Sequence, residues 1–427
     1  MRRDRRPLRR RVAGALAAGL VLLARPIVAQ TLLVPMDEAQ TDHLRAYGLV
    51  YETIGSGERA EWLLNYRAGS FLLPALPSVE RRAALLGVSV EPLTGAALAR
   101  LRTEIEDANM ESVPLEKAPR IAVYTPPNSS PWDDAVTLAL EYAGIPYARV
   151  WDREVLAGAL ADFDWLHLHH EDFTGQYSKF YLSYAGADWL TEEVDRNRRM
   201  ASELGFASVP QLKAEVAERI RAYVAGGGLL FAMCTATETL DLALAARGTD
   251  IAAPFADGTP PAADAAERLD WSRALAFTGA EVVLEPGVSA FSDIDGHQVN
   301  TPARQPLGSF ELFDFSAKID PVPAMLTQSQ ERVLPDFYGL TTSFRPDRIR
   351  PGVTVLAEDP STGFVKYLHG SYGEGSFTFL GGHDPEDPQH LIGDPPTDLA
   401  LRRNSPGYRL ILNNVLYPAA KRKALKT

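Results

Sequence analysis

The residue best suited to covalent chemistry is the chain's single cysteine, Cys234. It ends the apolar run in GGGLLFAMCTATETL (226–240), where a buried strand should pass through a tight turn into a helix. A thiol at such a junction meets the positive end of the helix and its unpaired backbone N–H groups. These favour thiolate over thiol and suit a developing oxyanion. A nucleophile also needs a base, and the base an orienting carboxylate. His383, in GGHDPED (381–387) after a second apolar strand, supplies the base, and Glu386 or Asp384 the carboxylate. The plainer expectation for a lone cysteine is a small buried hydrophobe without chemistry.

A second group lies in DWLHLHHED (164–172). His167 and His169 share one strand face, and imidazoles with carboxylates are ordinary zinc ligands. Alternation puts His170 on the other face, however, and no His-Glu-x-x-His spacing occurs. The first expectation is therefore a polar rim in which His169, His170 and Glu171 help bind a ligand beside Cys234. No metal ligand is assigned on spacing, and no cofactor is expected. Gly226 to Gly228 lack the Gly-Lys-Ser/Thr ending of a phosphate loop, and no Gly-x-Ser-x-Gly elbow is present.

These side chains need a frame. Residues 31–118 alternate as a first α/β unit: strand 32–36, a helix 37–54 opened by an Asp cap, strand 61–65, helix 78–86, strand 88–92 and a helix to 107. Residues 114–119 read as a linker. A second unit, 119–420, starts with strand 121–124 and continues through helix 131–143, strands 147–150 and 164–168, helix 211–225 and strand 229–233. Strands alternating with helices imply a mostly parallel sheet flanked by helices, flavodoxin-like in type, with its ligand crevice beyond the carboxyl ends of the strands. Residues 171–209 form an aromatic-rich insertion and 247–365 a looser one with β-like runs. Tyr372 to Gly375 suggest a hairpin turn, 406–416 a final helix and 421–427 a basic tail.

The first 11 residues carry seven arginines, followed by an apolar run at 12–24 and a small-residue cleavage site near Ala29, the layout of an export signal. Thirteen apolar residues fall short of the roughly 20 that cross a bilayer, so no stable membrane span is expected. The mature chain, periplasmic or secreted, would carry 35 basic and 54 acidic residues, a net charge of −19. Such a surface repels phosphate backbones, which excludes nucleic acid and leaves a small-molecule ligand as the expected partner. The oligomeric state is not legible.

The strand-turn-helix at Cys234, the strand before His383 and the final helix with LILNNV (410–415) resemble the class I glutamine amidotransferase-like superfamily, and within it the trehalose-utilisation (ThuA-like) branch. The resemblance covers 119–246 and 365–420. It implies a Cys-His-Glu triad, matched here by Cys234, His383 and Glu386. Alanines stand where glycines usually flank the cysteine, and Glu386 follows the histidine by three residues instead of two. LVPMDEAQ (33–40), EWLLNY (61–66), 164–172 and 381–387 are similar to a bacterial family often labelled asparagine synthetase B. That label implies an N-terminal cysteine and a Ser-Gly-Gly-x-Asp-Ser loop for ATP, and the chain has neither. The leading expectation is an exported Cys-dependent hydrolase of an amide or related small molecule. The alternatives are a non-catalytic carbohydrate-binding protein of the ThuA-like type, since aromatic insertions suit sugars, and a metal-assisted hydrolase using residues 167–172.

Overall fold

The computed structural model describes residues 31–127, 134–297, 308–389 and 394–421; the expected export signal and tail residues 422–427 lie outside the described residues. Five strands build the first sheet: β1 (Thr31–Val34), β2 (Ala60–Leu64), β3 (Ser70–Pro74), β4 (Glu91–Leu93) and β5 (Glu111–Leu115). Their order is β4-β1-β3-β2-β5, and every neighbouring pair is antiparallel. Helices α1 (His43–Gly55), α2 (Pro77–Leu86) and α3 (Gly95–Asp107) accompany it.

Two local expectations change. Helix α1 starts six residues late, capped by Asp42, which accepts from Arg45 N; Asp37 instead pairs with Arg67 at 2.6 Å. The expected linker at 114–119 begins inside β5, because Pro114 sits in an edge strand, where a missing N–H is tolerated.

The second sheet has nine strands: β6 (Ile121–Tyr124), β7 (Ala148–Val150), β8 (Trp165–Leu168), β9 (Leu229–Met233), β10 (Ser309–Leu312), β11 (Val333–Pro335), β12 (Thr354–Glu358), β13 (Val365–Tyr372) and β14 (Gly375–Leu380). The order is β11-β10-β12-β13-β14-β9-β8-β6-β7. From β14 to β7 all pairings are parallel, and from β14 to β11 all are antiparallel. The sheet is therefore mixed, and the expectation of a mostly parallel one holds for only half of it. The reason lies in the 247–365 stretch, whose strands add to the same sheet. Its last strand, β12, pairs antiparallel with β13, and β13 and β14 join through the two-residue Gly373-Glu374 turn, which only antiparallel strands can use.

Helices α4 (Ala135–Ala143), α5 (Asp152–Leu156), α6 (Asp188–Glu203), α7 (Val209–Ala225) and α8 (Thr235–Ala245) follow, with a C-terminal helix at Pro406–Leu416. Alternation splits the sheet cleanly. Leu166, Leu168 and Leu230 pack against Leu212, Val216 and Ile220 of α7. Val123, Trp165 and Phe231 face the other way, in one core with Trp62 and Phe71 of the first sheet and Leu412 of the last helix. Helix α1 crosses the end of α4 so closely that a Cβ on Gly48 would lie 1.8 Å from Ala143 O. Among the described residues no helix is long and apolar enough to cross a membrane.

Candidate functional site

Register decides which side chains meet. In the parallel half, His167 stands beside Phe231 and Leu168 beside Ala232, while Leu380 of β14 stands beside Met233. The chain therefore leaves β8 at His169 and His170, β9 at Cys234 and β14 at Gly381 to His383, all at one sheet edge. Asp134, the cap of α4 in the crossover from β6, arrives there too.

Three imidazoles converge at this edge. The rings of His169 and His383 are 4.3 Å apart between centroids, and His170 stacks on His383 at 6.0 Å with 14° between planes. One nitrogen from each of His169, His170 and His383 can be chosen so that all lie within 4.8 Å of one another. His170 joins this group against expectation because β8 ends at Leu168, and alternation has no force past the end of a strand.

Behind them sits Asp134. Its Oδ2 lies 3.1 Å from His167 Nε2 and its Oδ1 3.1 Å from His169 Nδ1. Burial would raise this carboxyl, yet His167 and His169 hold it well below the usual carboxylate range. Burial lowers the pKa of His169 and outweighs the pull of Asp134, so the ring is neutral near pH 7 with a lone pair to give. His169 is 1% exposed, yet neither of its nitrogens has a well-formed hydrogen bond, and His170 Nδ1 lacks one as well. Leaving such groups unsatisfied costs about 1–3 kcal/mol each, so a buried ring of this kind points to a missing partner. Three imidazoles suit a borderline-soft ion such as zinc, with a fourth position open.

Cys234 occupies the expected strand-to-helix turn in a strained conformation, φ 49° and ψ −138°. Such backbone costs of order 1–3 kcal/mol and collects at functional sites. The thiol is 1% exposed and burial raises its pKa. Its sulfur accepts from Leu340 N at 3.4 Å and meets Thr235 Oγ1 at 3.6 Å. Leu340 belongs to a strap between the thiol and the histidines: Tyr338 O accepts from His383 N at 2.7 Å and Thr341 O from Gly382 N at 2.8 Å. Cys234 and His383 thus leave neighbouring strands at one edge, with the sulfur turned to the strap and the imidazole to His169 and His170.

The two expected orienting carboxylates have other occupations. Asp384 accepts from Glu386 N, Asp387 N and Thr397 Oγ1, which shapes its own loop. Glu386 pairs with Arg402 at 3.4 Å. Glu171 lies half-buried next to the histidines and adds to the field on Glu193 of α6, whose carboxyl is pushed up to about 7, first by burial and then by Glu171. Asp172 is a turn organiser, accepting from Thr174, Gln176 and Ser178 N–H groups.

Sequence reading passed over three groups. Asp134 sits in a stretch read only as helix, although an Asp cap after a parallel strand was its available signal. Glu238, one turn into α8, binds Ser292 Oγ at 2.5 Å and Thr341 Oγ1 at 2.9 Å, and burial pushes it up to about 7. Lys366 pins the strap through Asp336 at 2.6 Å, Phe337 O and Thr342 O. No local pattern marks the last two.

No protein-family model matches the chain, and no curated protein matches it. Among solved structures it is similar to the cytoplasmic protein STM1381 from Salmonella typhimurium LT2, at 13% identity and a TM-score of 0.34, covering 71% of this chain and all of that one. The cytoplasmic protein STM3548 from Salmonella typhimurium gives 10% identity and a TM-score of 0.33 over the same shares. The GH42 β-galactosidase Gan42B gives 10% identity and a TM-score of 0.27, over 63% of this chain and 28% of that one. Likenesses this distant carry no argument about activity.

Proposed function

We propose that this chain is a metal-dependent hydrolase whose ion is held by His169, His170 and His383. One observation carries the reading: three imidazoles from two distant segments bring nitrogens within 4.8 Å of one another, and the most buried of them, paired only with Asp134 through Nδ1, has no partner for Nε2. When bound, a divalent ion would supply a Lewis acid and an activated water. The chain's own residues do the rest. Asp134 and His167 hold the ligand set, while Glu193 and Glu171 offer a carboxyl pair for proton transfer beside His170. The substrate we infer is a small amide or a related carbonyl compound, processed outside the cytoplasm by an acidic protein whose parallel half is of the flavodoxin-like, class I amidotransferase-like type.

A second reading keeps Cys234 as nucleophile, and its φ of 49° at a strand-to-helix turn favours it. The two readings separate in one assay. Metal content of the purified protein is measured, and amides, glutamine and sugar derivatives are screened with wild type, His383→Ala and Cys234→Ala. The metal reading expects about one zinc-type ion per chain, and loss of both ion and turnover in His383→Ala alone. Turnover lost in Cys234→Ala, with no ion in wild type, would transfer the assignment to the thiol. Binding of sugar derivatives without turnover would favour the non-catalytic alternative.

A further inference from the structure

We propose that Asp134 is a positioning residue: it fixes His169 in the tautomer that presents Nε2 to the ion, while also capping helix α4. This rests on the metal reading above, and deepens it by assigning the layer behind the ligands.

Hydrogen-bond supply sets the tautomer. A carboxylate only accepts, and a neutral imidazole carries one N–H. With Oδ1 of Asp134 3.1 Å from His169 Nδ1, the ring hydrogen belongs on Nδ1, and the lone pair falls on Nε2. Nε2, which has no hydrogen-bond partner, is then the nitrogen available for the group that His169 forms with His170 and His383. A carboxylate behind a ligating imidazole also raises its basicity and locks its angle, and its removal commonly costs 10–100-fold in metal affinity.

Asp134 is itself held from every side. The same Oδ1 accepts from Val136 N at 2.7 Å and Thr137 N at 3.1 Å, the first free N–H groups of α4. Its Oδ2 lies 3.1 Å from His167 Nε2, and His167 Nδ1 lies 3.1 Å from Phe231 O. Both nitrogens of His167 thus face acceptors, and its ring packs in a cluster with Trp165 at 6.0 Å and Phe231 at 5.6 Å. Ligation through either nitrogen would cost His167 the contact which that nitrogen makes. It serves as the brace for Asp134, in keeping with its place two residues before His169 on the same strand face.

Two variants and one spectrum test the assignment. Serine caps a helix about as well as aspartate but is too short to reach either ring. Asp134→Ser should therefore keep the fold and bind zinc, titrated against a chromophoric chelator, 10–100-fold more weakly than wild type. Asparagine keeps an oxygen at the Oδ1 position, so Asp134→Asn should recover most of the loss and guards against a serine variant that fails to fold. Long-range 1H–15N correlation of the metal-free wild type should report His169 with hydrogen on Nδ1. Zinc affinity in Asp134→Ser within twofold of wild type would overturn the proposal, as would a His169 hydrogen on Nε2. If wild type binds no zinc, the metal reading fails while the tautomer measurement still judges the role of Asp134.

Discussion

Zinc added to the metal-free protein should raise its Tm, and His383→Ala should abolish the rise. The perturbation is chosen because the ligands come from segments more than 200 residues apart, at the exits of β8 and β14, so that only the folded chain presents them together. An ion that binds the native state alone stabilises by RT ln(1 + [L]/Kd), about 2.7 kcal/mol at a hundredfold excess over Kd. At roughly 2 cal/mol/K per residue, a chain of this length has an unfolding entropy near 0.9 kcal/mol/K, which converts the gain to about 3 °C. Differential scanning calorimetry with zinc stepped through three decades should show that rise growing with the logarithm of concentration. Removing one of three ligands should flatten the curve within the same range. A wild-type protein indifferent to zinc would refute the reasoning, and so would a His383→Ala variant that responds equally.

Three further outcomes follow from the same geometry. Cys234 should react with iodoacetamide only on unfolding, and Cys234→Ala should leave zinc affinity unchanged; rapid labelling of the native thiol would contradict its place beneath the strap. The carboxyl of Glu238 is raised from 4.5 to about 7 by burial, so its proton is held in the folded state. Its contribution is full below about pH 4.5 and disappears as pH rises through about 7, a change of about 3 kcal/mol; urea melts of Glu238→Gln should lack it, and an unaltered pH profile would count against this. Arg409, fully buried, donates to Tyr47 Oη, Met36 O and Ala68 O, and steadies a turn in which Asn65, Arg67 and Ala68 are left-handed. Arg409→Met should cost about 3–5 kcal/mol in urea unfolding through stranded acceptors; a loss below about 1 kcal/mol would not fit.

The elements of the parallel half were legible because short apolar strands and amphipathic helices announce themselves by period and by Gly or Asp at their ends. Cys234 and His383 are read to strand exits for that reason; that the two strands are neighbours, with Met233 beside Leu380, is given by the fold alone. Other features depend on pairing partners that no local pattern names. Strand β3 follows a turn built from left-handed non-glycine residues, and β5 contains a proline that only an edge position permits. The antiparallel half of the large sheet comes from residues whose loose β character gave no hint of which strand they would join. Asp134 was hidden for a different reason. Its importance lies in two imidazoles that approach from another strand, and a capping aspartate looks the same whether or not they are there.

X-ray absorption at the zinc edge of the loaded protein tests the central claim most directly. Three imidazole nitrogens at about 2.0–2.1 Å are expected, with the remaining scattering from oxygen. A sulfur shell near 2.3 Å, which only Cys234 or a methionine could provide, or an ion with no imidazole scattering, would contradict the account.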